Sequence, residues 1–211
     1  WTGPQLQPWI DAEKRLSSTD AHIVDFFSEI SQAPEVAQMV HDVINSYAEE
    51  DWSGIESILK FEQGKKVIDL GGGRGFLLSN IGGQNLKKIL IDRPEVIAGL
   101  ELKDIEVLGL DIFSDTIPIA DVYILSRVLH DWSDDYCQRL LHRIPQHADL
   151  IVIEREGIAE QNGLLSLNML LVNGGHERSI KDWHSLFAQC FWSIQSIDTW
   201  NNRLVMKLRG E

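Results

Sequence analysis

Apolar positions along the chain change rhythm once, near residue 64. Before it, HIVDFFSEI (22–30) and VAQMVHDVI (36–44) place apolar side chains at three- and four-residue steps, the repeat of helices with one buried face. Pro34 stands between them, where a new helix can start. SGIESILKF (53–61) predicts a third helix that ends near Gly64. Beyond it, KKVIDL (65–70), KKILID (87–92), IEVLGL (105–110), ADVYILS (120–126) and DLIVIE (149–154) are short, nearly continuous apolar runs. Strands covered on both faces have that pattern. SDDYCQRLLHRI predicts a crossover helix, with Cys137, Leu140, Leu141 and Ile144 on its apolar face and Asp134 and Asp135 in its first turn. WSIQSIDTW and NRLVMKLR are separated by little more than an asparagine pair and predict adjacent antiparallel strands. The pattern therefore predicts an α/β fold around a mostly parallel sheet, closed by a C-terminal hairpin.

The first predicted strand runs into VIDLGGGRGF. A G-x-G-x-x-G dinucleotide loop starting at Gly71 needs glycine at 76, where Phe76 stands. The pattern that fits is D-x-G-x-G-x-G: Asp69, Gly71, Gly73 and Gly75. Glycines let the backbone turn sharply after the strand and approach a ligand closely. Asp92 closes the second predicted strand, where a carboxylate can accept both hydroxyls of a ribose, and Asp111 with Ile112 follows the third, placed to flank an adenine. Solvated loop acids are the other reading of both. Arg93 beside Asp92 leaves room for a phosphate, hence for an NAD(P)-dependent oxidoreductase as the alternative; the missing third glycine argues against it.

Composition narrows the partners. The 211 residues, 44% hydrophobic and 24% charged, suffice for one well-packed domain. A net charge of -13 disfavours nucleic acid and favours a cationic ligand or cofactor. No run has the apolar length of a membrane span and no signal-peptide pattern opens the chain, so a cytoplasmic location is expected. Cys137 and Cys190 lack metal-ligand spacing and are consistent with a reducing compartment. The carboxylates are scattered without ligand spacing, and no metal is expected. The chain starts at Trp1 rather than Met, as a processed chain, a trimmed one or a domain of something longer would.

VIDLGGGRG, LIDRPEVI, LDIF, ADVYILSRVLHDWSDDYCQRLLHRI, VIE and NMLLVNGGHERS occur in this order. Together they resemble the S-adenosylmethionine-dependent O-methyltransferases of the caffeate and acetylserotonin type, which include bacterial small-molecule tailoring enzymes. The resemblance is good from residue 64 to 187. It implies a class I methyltransferase fold, Rossmann-like, with a seven-stranded sheet. It also implies that Gly71, Gly73 and Gly75 wrap the methionine part of the cofactor, Asp92 holds the ribose, and Asp111 and Ile112 flank adenine with Trp132 over its other face. His130 would be the base, assisted by Asp131 and steered by the carboxylates of Glu154 and Glu177. Ser126 stands where the family commonly has Lys or a similar polar residue, so one cofactor contact is lost or replaced. The family's N-terminal winged-helix dimerisation domain is missing except for its final helices. The resemblance thus divides the chain into a helical remnant or linker, 1–62, and a catalytic domain, 63–211. An excised assembly-line domain would fit, acting on a small-molecule or carrier-protein-tethered acceptor, either as a homodimer or with neighbouring domains supplying the dimer. Related scaffolds that do not methylate are a further alternative.

The chemistry accounts for an imidazole at a strand's carboxyl end. A sulfonium methyl is already activated, so the enzyme must align the acceptor and take its proton. A phenol titrates near ~10 and is a poor nucleophile at neutral pH. Imidazole titrates near neutrality, and a carboxylate beside it fixes its tautomer. Neighbouring parallel strands lie roughly 5 Å apart, so Glu154 on the next strand can reach His130. The acceptor is expected under LLSLNMLLVNGG, where Asn168, Met169 and Val172 lie on an apolar segment of helical spacing. Met adapts to irregular organic surfaces; ordinary helix packing is the other reading.

Overall fold

The computed structural model describes residues 52–157, 167, 169–171 and 174–211. The helices predicted over 22–30 and 36–44 lie outside the described residues, as do Asn168 and Val172. The described strands are β1 (Lys66–Leu70), β2 (Lys87–Asp92), β3 (Ile105–Gly109), β4 (Val122–Ser126), β5 (Asp149–Arg155), β6 (Trp192–Trp200) and β7 (Arg203–Gly210). They form one seven-stranded sheet in the order β3-β2-β1-β4-β5-β7-β6. β1 to β5 pair in parallel, and β7 runs antiparallel to both β5 and β6. All seven strand positions are those the apolar runs predict, to within two residues at each end.

The parallel strands are apolar throughout because both faces are covered. On one face Ile68, Leu70, Tyr123 and Leu125 pack with Cys137, Leu140 and Leu141 of α2 (Asp134–Leu141) and with Trp183 and Phe187 of α3 (Ile180–Gln189). On the other, Val67, Leu90, Ile124 and Ile153 meet Trp52, Ile55, Leu59 and Leu78, the last from α1 (Phe76–Asn80). Ser133 precedes α2, and Asp134 and Asp135 lie in its first turn, as the sequence predicts. α3 opens on a capping box in which Ser179 and Asp182 satisfy one another's backbone N–H groups.

The predicted helix over 53–61 is instead a single 3-10 turn, Ile55–Ser57. Gly54 enters it at φ +83 without a side-chain cap, and a run this short cannot repay helix nucleation alone. It survives by burying Ile55 and Leu59 against the sheet. Among the described residues no helix is long and apolar enough to cross a membrane.

Candidate active site

β1 pairs with β2 on one side and β4 on the other, so the loops leaving β1 and β4 part at the carboxyl edge of the sheet. Open α/β sheets bind ligands at such a switch point. Gly71, Gly73 and Gly75 all have positive φ, at +71°, +59° and +77°. A Cβ at Gly71 would lie 2.9 Å from Val128, and one at Gly75 would lie 2.5 Å from Leu102. Those two glycines are small because the protein itself packs on them. At Gly73 a Cβ would meet nothing within 4 Å. The contrast is testable with Gly72, where a Cβ would run into Asp69 and Leu90. Gly72→Ala is expected to cost about 1–3 kcal/mol through overpacking. Gly73→Ala should cost only the left-handed backbone penalty of about 1–2 kcal/mol. Thermal denaturation of the two variants compares them.

Acids ring this loop. The Asp69 side chain is fully buried, and neither carboxyl oxygen has a hydrogen-bond partner among the described residues. Burial, reinforced by the neighbouring Asp92 charge, pushes it up to about 8. Asp92 accepts from the Gly73 N–H at 2.7 Å with one oxygen and from the Arg93 N–H at 2.7 Å with the other. Its carboxylate is thereby fixed against the glycine loop. Arg93 itself begins the turns that link β2 to β3. Asp111 closes a local turn, accepting from the Phe113 N–H and the Ser114 hydroxyl. Ile112 is partly buried on the main core. Ser126 ends β4, its Oγ buried and without a hydrogen-bond partner among the described residues. Trp132 is buried in an aromatic group, edge-on to Phe113 at 4.7 Å and stacked on Tyr136 at 5.5 Å.

The residues singled out for chemistry come together. After β4 the chain forms a 3-10 turn, Leu129–Asp131, which buries His130. Its Nδ1 lies 3.4 Å from Glu177 Oε1 and 3.6 Å from Glu154 Oε2, and its Nε2 lies 3.7 Å from Asp131 Oδ1. Two carboxylates on one ring nitrogen favour the tautomer with the proton on Nδ1, which puts the lone pair on Nε2. Burial pulls the imidazole down, but Glu154, Asp131 and Glu177 reverse this and raise it to about 9. Burial also pushes Glu154 up to about 7, against the pull of His130.

Sequence reasoning missed a second task of Glu154. Its Oε1 accepts from the Val128 and Leu129 N–H groups, at 3.0 and 2.8 Å. It also missed Arg178, which is buried and donates to both ends of the same turn. The signal was the GGHERS segment itself, in which an arginine directly follows the buried Glu177. The acceptor-side prediction is described only at Met169, which is buried.

With this geometry in view, comparison with known proteins is specific. A family model for the O-methyltransferase domain matches residues 5–192. The chain belongs to the O-methyltransferase domain family. Cephaeline 6'-O-methyltransferase of Carapichea ipecacuanha is 30% identical over 92% of the chain and 64% of that protein. Phenazine O-methyltransferase of Lysobacter antibioticus is also 30% identical, over 92% of the chain and 63% of that protein. The chain thus spans somewhat under two thirds of these relatives' lengths. In structure it is similar to an O-methyltransferase from neocarzinostatin biosynthesis, solved with S-adenosyl-L-homocysteine and 1,4-dihydroxy-2-naphthoic acid. The TM-score is 0.82 at 21% identity, covering 98% of the chain and 69% of the other. The O-methyltransferase fold accounts for the antiparallel β7 set between β5 and β6. A dinucleotide-binding sheet of order 3-2-1-4-5-6 has no such strand.

Proposed function

We propose that this protein transfers a methyl group from S-adenosylmethionine to a hydroxyl of a small organic molecule, with His130 as general base. The observation that carries the reading is the convergence of Glu154, Glu177 and Asp131 on one buried imidazole beside the glycine loop. Bound S-adenosylmethionine supplies an electrophilic methyl on a cationic sulfur, whose departure leaves a neutral thioether.

The residues present fit that cofactor. Asp92 brings a carboxylate to the loop, which suits an ammonium and a sulfonium, with the buried Asp69 carboxyl behind it. Gly73 gives the cofactor its closest backbone approach, between Gly71 and Gly75, which shape the loop. Asp92 holds the ribose, with Arg93 beside it. Asp111 and Ile112 border the adenine at the end of β3, and Trp132, backed by Phe113 and Tyr136, packs over it. Ser126 offers a short hydroxyl at the same edge. His130 receives the acceptor's proton at Nε2 while Nδ1–H stays on Glu154 and Glu177, and Asp131 stabilises the imidazolium. Met169 lines the acceptor side, with Asn168 and Val172 on the same segment.

The acceptors named for the relatives favour a free natural product; a carrier-tethered intermediate on an assembly line is the narrower version. Association as a homodimer or with neighbouring domains, and a cytoplasmic setting for the unpaired Cys137 and Cys190, complete the reading. Calorimetry with S-adenosylhomocysteine and with NADH is the first test. Binding of the former is expected, and binding of NADH alone would overturn the proposal. Transfer of labelled methyl to hydroxylated aromatics, free and carrier-bound, then separates the acceptor classes. Cofactor binding without transfer to any of them would indicate a non-methylating scaffold.

A further inference from the structure

Arg178 is among the largest fully buried side chains of the molecule, with 1% of its surface exposed. A buried guanidinium is costly unless every donor is met. Here all five N–H groups have acceptors. Nε and one Nη2 donor reach Asp134 Oδ1 at 2.9 and 2.7 Å, and the other Nη2 donor reaches the Trp132 carbonyl at 2.8 Å. Nη1 serves the Leu129 carbonyl at 2.9 Å and the His176 carbonyl at 3.5 Å. The guanidinium also lies over the Trp183 ring. Residues 129 and 132 bracket His130 and Asp131, so the fork grips the turn on both sides of the imidazole.

The turn needs that grip. Its own hydrogen bonds, Asp131 N–H to Val128 and Trp132 N–H to Leu129, are both 3.2 Å, long for backbone pairs. Glu154 holds its first N–H groups and Arg178 its carbonyls, a carboxylate at the positive end and a guanidinium at the negative end. The Cys137 thiol adds a weak donor to the Leu129 carbonyl at 3.2 Å. On the other side, Glu177 and Arg178 are consecutive, and the Gly157 N–H ties the Arg178 carbonyl at 2.8 Å. A Cβ at Gly157 would strike Glu177 and Arg178, and one at Gly175 would strike the His130 carbonyl. The two backbones are therefore packed directly on each other.

We propose that Arg178 is a positioning residue that sets the distance between the His130 ring and the Glu177 carboxylate by clamping the 129–132 turn to the segment carrying Glu177. The proposal rests on His130 acting as the base. A side chain that only filled space there would be replaceable by any residue that folds; a clamp requires the fork.

Arg178→Lys tests it, because the charge stays while five donors become three in a different geometry. With S-adenosylhomocysteine-binding sites used to count folded protein, kcat is expected to fall about tenfold to a hundredfold, as a misplacement near 1 Å can cause. The acceptor KM should stay within about threefold, since the lost interaction acts in the transition state. NMR titration of the His130 ring should move to lower pH, because Glu177 then supports the imidazolium less. Asp134→Asn, altered at a half-exposed partner, should shift both readouts the same way by less and guards against failure of the lysine variant to fold. A wild-type kcat or an unmoved titration in folded Arg178→Lys overturns the clamp. Unchanged turnover in His130→Ala would instead defeat the base assignment, and the titration would still judge Arg178.

Discussion

His130→Ala should lower methyl transfer about 10²–10⁴-fold, the usual contribution of a positioned acid or base, with little change in S-adenosylhomocysteine affinity. The separation follows from geometry. His130 stands on the β4 side of the switch point, whereas Asp69, Gly73 and Asp92 lie on the β1 and β2 side. Deleting the ring removes the cation that draws Glu154 down, so this buried carboxyl takes up a proton more readily and the fold persists. Single-turnover transfer from labelled cofactor to an accepted phenol measures the chemical step, and calorimetry measures the affinity. A variant that loses both together would place His130 in cofactor binding instead.

Glu154 should show two separable effects. Glu154→Ala leaves the Val128 and Leu129 N–H groups without their acceptor inside the protein. At about 1–3 kcal/mol for each stranded donor, the fold should lose roughly 2–6 kcal/mol, visible in denaturant unfolding. Glu154→Gln keeps an oxygen for those groups and should fold nearly as well. Its amide presents a donor to Nδ1, however, and so competes for the tautomer that bears the proton on Nε2, where no base remains. We expect kcat to fall about tenfold to a hundredfold in this variant, at the lower end of what a misaligned base costs. The sign for pH also follows. His130 is held up to about 9 partly by the Glu154 charge, so loss of that charge makes the ring titrate at lower pH. Imidazole NMR of the cofactor-free protein reads this directly. An unmoved titration would show that Glu154 serves the turn alone.

How much of this was legible beforehand differed by kind of interaction. Strands such as KKILID and WSIQSIDTW announced themselves, since a buried parallel strand must be apolar and an antiparallel pair must turn tightly. The segment 53–61 has helical spacing, yet spacing says nothing of length or capping, and only one turn forms. The meeting of His130 with Glu154 could be anticipated from neighbouring strands. The grip of Glu154 Oε1 on the turn could not, because it depends on a 3-10 conformation that no residue pattern specifies. Gly71 and Gly75 read as ligand-facing, and their pressing neighbours are Val128 and Leu102, which lie far off in sequence. Arg178 drew no sequence-based expectation, because burial of an arginine depends on where five acceptors end up in space.

The placement of β7 leaves the sheet in two parts until that strand docks. β7, which follows β6 in sequence, sits inside the sheet, and β6 has no other strand to join among the described residues. Glu154 stands opposite Leu204 of β7, so the acid beside His130 gains its strand partner only when that strand docks. Until β7 docks, the strand that carries Glu154 has an open edge. A chain that ended before Arg203 would carry the glycine loop and an exposed β5 edge, able to aggregate.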